Sequence, residues 1–129
     1  MALELDTALK VARAVVARRL LGAIRIANGS VALLAPAKLA ARLGADPAES
    51  PALLYAFRMF GVRTVLIGRD MFRGEPRALR AAPLIHASDT IAAALAAASG
   101  KVPRRAGVLI TAISALNTVL ALAARRSER

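Results

Sequence analysis

Cysteine and tryptophan are absent from the chain, histidine occurs once, and aromatic residues make up 3% of it. Without cysteine there is no disulfide, no thiolate nucleophile and no thiolate metal site. One histidine and eight carboxylates leave little material for a His-rich metal centre. Scarce aromatics remove the stacking platforms that hold single-stranded nucleic acid. They also remove most of the aromatic belt that usually marks the two interfaces of a membrane protein. Sustained period-2 alternation is missing too, which argues against barrel strands.

What the chain has instead is apolar bulk. Of its 129 residues 57% are hydrophobic, and the mean hydropathy is +0.53, against about 45–50% apolar content in a typical soluble domain. A single domain of this length cannot hide that excess inside itself, so lipid is the natural sink. The net charge of +11 sits in short basic clusters between the apolar runs. Four such runs occur, at residues 20–40, 51–72, 78–99 and 105–124. Each has about 20 residues, the length that crosses a hydrocarbon core of about 30 Å. Alanine and leucine dominate them, so helix is expected. "RLGADPAESP", "RGEPR" and "GKVPRR" separate them, and such short connections make consecutive helices antiparallel neighbours. Pro51 and Pro103 suit helix starts, and Pro83 is placed to kink the third segment. The expectation is an all-α, four-transmembrane-helix antiparallel bundle over residues 20–124.

Residues 1–19 differ. Leu5, Leu9, Ala12, Val16 and Leu20 recur at helical spacing with Lys10, Arg13 and Arg18 between them. This amphipathic helical extension either lies on the membrane surface or continues the first span. A cleaved secretory signal is disfavoured: Arg25 and Asn28 interrupt its apolar core, and three more apolar segments follow. Eleven cations fall at the N-terminal end, in the second connection and in the basic tail 125–129. Five fall at the opposite ends. That bias puts both termini on the cytoplasmic side of the cell (inner) membrane. A pI near 11.8 otherwise hints at nucleic acid. The cations, however, cluster at span ends, where anionic headgroups attract them, so no nucleic acid is expected as partner.

The polar residues inside the spans need explaining, because an ionisable group there costs about 2.5–3.5 kcal/mol on insertion scales. Arg25 lies about one and a half turns into the first span, within reach of snorkelling. Arg58 and Arg63 are about 10 and 18 Å down from Pro51, while Asp89 and His86 are about 15 and 20 Å back from Ser99. With the second and third helices adjacent, Asp89 is expected to pair with Arg58 or Arg63. Those arginines point about 140° apart, so the second one needs His86, Asn28, Asn117, a backbone carbonyl or a ligand. The expected polar cluster, structural or ligand-binding, is therefore Arg58, Arg63, His86, Asp89, Arg25, Asn28 and Asn117. Gly22, Gly29, Gly61, Gly68 and Gly107 lie on small-residue stripes suited to close helix packing.

"RIANGSVALLAP", "RLGAD", "RMFGVRTVLIG" and "HASD", taken together, resemble a family of small four-helix integral membrane proteins known only as domain of unknown function 4267. The resemblance runs from about Leu20 to Ala124. It rests on an R-x-x-G-x-R-x-x-x-x-G pattern at Arg58, Gly61, Arg63 and Gly68, and on Asp89. It implies a fold and a membrane location but no activity.

Three functions compete. The first is a non-enzymatic scaffold or accessory subunit in the bilayer. The second binds or transports a lipid headgroup, a quinone or protons through the polar cluster. The third is a membrane enzyme with His86 as acid–base and Asp89 orienting it, for which no nucleophile or metal is in sight. No catalytic residue, metal or cofactor is assigned. The expected partners are the lipid bilayer, a lipid or quinone ligand, and a homodimer or other membrane protein docked on the glycine-lined faces.

Overall fold

The computed structural model describes residues 1–125, so Arg126 and Arg129 of the basic tail lie outside the described residues. Five helices and no strand make up that region: α1 (Ala2–Leu34), α2 (Pro36–Arg42), α3 (Pro51–Arg73), α4 (Pro76–Ala98) and α5 (Arg104–Arg125). The protein is all-α. Helices α3, α4 and α5 are each long and apolar enough to cross a membrane, and α1 with α2 make a fourth candidate only as a bent pair.

The first expected span departs from its predicted form. Helix α1 begins at Ala2, so the amphipathic stretch and the first apolar run form one helix of 33 residues, about 50 Å long. It stops at Leu34, short of residue 40. Pro36 has no N–H to give and pushes the residue before it out of helical geometry. Ala35 accordingly adopts φ −133° and ψ 50°, and α2 leaves at 98° to α1. Pro83, by contrast, is accommodated inside the single helix α4. Pro51 and Pro76 open α3 and α4, where a missing N–H costs nothing.

Two antiparallel pairs organise the helices. In the first, α1 packs on α3 through glycine. A methyl group on Gly22 would lie 2.6 Å from the Gly68 carbonyl oxygen, and one on Gly61 would lie 2.6 Å from that of Gly29. Seven residues separate the glycines on each helix, so two turns of contact run backbone against backbone. The end of this seam is pinned where α3 stops. Gly74 closes α3 with φ 83°, and Arg18 of α1 donates to the Phe72 carbonyl, while Arg19 lies 5.8 Å from the Phe72 ring centroid. In the second pair α4 packs on α5. A methyl on Gly107 would meet the Ala97 Cβ at 2.7 Å, and the Thr90 and Thr118 hydroxyls share a hydrogen bond of 3.2 Å.

The pairs join mainly through α1 and α5, whereas α3 and α4 share little contact despite the short turn between them. A small core marks the junction: Ala17, Leu21, Met71, Leu79, Ala82, Ala121 and Ala124. It sits where the C-terminal ends of α3 and α5 meet the N-terminal end of α4. Outside this core and the two pair interfaces, the helix surfaces are largely open. Within their apolar stretches only 17% of α3, 11% of α4 and 17% of α5 is buried, so most of their apolar surface needs lipid or a partner to cover it.

Candidate functional site

One turn beyond that core lies a polar cluster centred on Arg25. The glycine seam puts it there. Arg25 sits between Gly22 and Gly29 on the packed face of α1, and a methyl on Gly68 would lie 2.9 Å from the Arg25 Cβ. Gly68 thus makes the room in which the arginine backbone approaches α3. The side chain then leaves α3 and crosses to α4. Its Nη1 lies 3.3 Å from both His86 Nδ1 and His86 Nε2, so it donates to whichever ring nitrogen carries no hydrogen. The same Nη1 is 4.0 Å from Asp89 Oδ2, as is His86 Nδ1. Two groups from two helices converge on one carboxylate edge. His86 and Asp89 share a face because they are i and i+3 on α4.

Burial is graded across the cluster. Arg25 is 6% exposed and His86 1%, yet the Asp89 side chain keeps 46% of its surface open. The carboxylate is therefore the cluster's outer member. Two buried polar atoms have no hydrogen-bond partner among the described residues, Arg25 Nε within the cluster and Asn117 Oδ1 on α5. Asn117 is buried on α5, and the Thr90–Thr118 bond places it near the level of Asp89 along α4.

The expected pairing of Asp89 with Arg58 or Arg63 does not form. Both arginines are exposed on α3, outside the cluster, and Asn28 is exposed on α1. The physical reason is helix choice. The glycines of α3 match those of α1 in register, so α3 turns its packed face to α1 and not to its neighbour in sequence. Arg25, expected to snorkel, is instead buried and takes the place assigned to Arg58 and Arg63. Reading the chain for its two equal glycine spacings would have found this, since Arg25 lies inside the α1 interval. Thr64, buried on α3, was singled out by nothing in the sequence. The five glycines Gly22, Gly29, Gly61, Gly68 and Gly107 are all buried within the chain, so none offers its face to a second molecule.

The arrangement can do two things chemically. It can tie two helix pairs together through a charge, and it can present a hydrogen-bond donor beside a partly open carboxylate. No group of three or more His, Asp or Glu side chains able to hold a metal occurs among the described residues. Comparison of the chain with protein-family models, with curated proteins and with solved structures finds no match in any of the three.

Proposed function

We propose that this is a small polytopic membrane protein, a non-enzymatic scaffold or accessory subunit, in which the Arg25–His86–Asp89 cluster holds two helix pairs in a fixed relation. Four crossings are counted in this reading, with α1 joining α3, α4 and α5, and both termini on the cytoplasmic side. The resemblance to domain of unknown function 4267 is in keeping with it. The observation that carries the proposal is the reach of Arg25. It leaves the α1/α3 pair and contacts two residues of the α4/α5 pair, where a charge removed from water persists only with partners.

The test is a charge swap in purified protein. Arg25→Asp and Asp89→Arg singly should each lower the thermal midpoint, and the double variant should recover part of the loss. Equal losses in the double and the worse single variant would sink the lock.

A second reading has its own observation. Arg25 Nε and Asn117 Oδ1 are buried and have no partner among the described residues, which costs about 1–3 kcal/mol each unless another polar group reaches them. A lipid or quinone presenting a carbonyl or hydroxyl group would satisfy the donor. Mass spectrometry of lipids co-purified with wild type and with Arg25→Leu separates the readings. A species lost from the variant supports the ligand site. Identical profiles leave the lock alone.

A further inference from the structure

Arg58 and Arg63 make no hydrogen bond or ion pair among the described residues, yet both lie on a helix apolar enough to cross a membrane. Their positions differ in a way that matters. Arg58 is about 10 Å from the Pro51 end of α3, so its side chain reaches the interface. Arg63 is about 18 Å from that end and about 16 Å from the Gly74 end, too deep to escape in either direction. It needs a carboxylate at its own depth.

At 100° per residue, the packed face of α3 runs from Gly68 through Met71 to Ile67, and Arg63 follows about 40° further round. Met71 and Ile67 pack against the cluster that contains Leu79 and Ala82 of α4, so Arg63 borders the α4 side of α3. Arg58 lies about 80° from Gly68 in the opposite sense. On α4, Asp89 lies about 20° from Ala82 and about 100° from Thr90, which faces α5. Asp89 therefore opens on the α3 side. Measured from the shared α3–α4 turn, Arg63 is about 16 Å and Asp89 about 20 Å deep. Asp89 is the mid-helix carboxylate of the described residues, and nearly half its side chain is uncovered. Within one chain α3 and α4 share little contact, confined to the core near their common turn. One face thus carries one unpaired cation and one half-open anion at matched depth.

We infer that a second copy of this chain covers that face, in a two-fold dimer where Arg63 of each copy pairs with Asp89 of the other. A patch with one charge of each sign is self-complementary under a two-fold axis along the membrane normal, which keeps depths equal. A lipid phosphate suits the site less well, because it resides at the interface and Asp89 repels it. The dimer leaves Arg25 on its own contacts with His86 and Asp89. It rests on reading α3 and α4 as membrane-crossing helices.

The cysteine-free chain makes cross-linking the test. Met59→Cys is placed in one tagged copy, and Ala92→Cys in a second copy with a different tag, both positions being exposed. Each lies one turn from its charged neighbour, Arg63 or Asp89, and both are co-expressed. A link between the tags on mild oxidation is expected, because the cysteines are on separate chains. Adding Arg63→Glu to both copies should reduce it by about tenfold or more, with helical content and thermal midpoint kept, whereas Arg63→Lys should retain it. Single-molecule photobleaching of labelled wild type in vesicles should show two steps. Absence of the cross-link with one-step bleaching overturns the dimer. So does a cross-link indifferent to Arg63→Glu, or a monomer that co-purifies with a different membrane protein through Arg63. Release of the wild-type chain from membranes by alkaline carbonate would overturn the membrane reading itself, a failure distinct from that of the dimer.

Discussion

Gly68 of α3 lies directly against Arg25 of α1, close enough that a methyl on the glycine would sit 2.9 Å from the arginine Cβ. The contact couples the glycine seam to the polar cluster, since a side chain larger than hydrogen at position 68 presses on the base of Arg25 and shifts its guanidinium relative to His86. Gly68→Val is expected to cost about 1–3 kcal/mol through overpacking. It should also loosen the cluster, read as a lowered thermal midpoint together with faster amide exchange around His86. Gly107→Val disturbs the other helix pair, and its loss of stability should come without that change at His86.

Removing one partner of the cluster should hurt more than removing both. Arg25→Met leaves Asp89 facing the junction without its cation, and a loss of about 1–3 kcal/mol is expected, less than for a fully buried pair because Asp89 is half open. Arg25→Met with Asp89→Leu removes charge on both sides and should recover most of that loss. Denaturant or thermal unfolding of the four-member cycle measures the coupling, and strict additivity would argue against it.

Two turn glycines separate backbone strain from side-chain collision. Gly74 and Gly100 have φ 83° and 70°, a region where any other residue costs about 1–2 kcal/mol. A methyl on Gly100 meets nothing, whereas one on Gly74 would lie 2.8 Å from Arg18 Nη1. Gly74→Ala should therefore destabilise more than Gly100→Ala. The excess should vanish in an Arg18→Ala background, as followed by thermal unfolding.

Asn117 carries a buried oxygen with no partner among the described residues. Asn117→Leu removes that desolvated group at similar volume and should leave the thermal midpoint unchanged or raised, by up to about 2 kcal/mol in stability. A clear loss of stability would mean that the amide is satisfied by a bound molecule, and would favour the ligand reading of the cluster.

The helices were largely legible in the chain because their signals are local. Pro51 opens α3 as expected, Pro103 stands one residue before α5 and not within its first turn, and Pro76 opens α4 two residues ahead of the apolar run. Glycines 44, 74 and 100 end or turn the helices, and alanine-rich runs fill them. The junction at Ala35 was also written locally, in the proline that follows it, but a continuous apolar run from residue 20 to 40 concealed it. Partner choice was the harder matter. Sequence neighbours α3 and α4 looked like spatial neighbours, and depth alone matched Asp89 to Arg58 and Arg63. The deciding information is non-local, a glycine interval on α1 that complements one on α3. That is why Arg25, an inconspicuous residue near a predicted span end, displaced the two conspicuous arginines.

Arg25 and His86 are 61 positions apart, with all of α3 between them, and Asp89 lies further still. The order of synthesis therefore matters. A nascent chain that has completed α1 and α3 holds the glycine seam but no counter-charge, and its guanidinium stays stranded until α4 has been made. Fragments ending before His86 should be prime substrates for quality-control proteolysis, and the arrival of α4 marks the point at which the first helix can take its permanent seat.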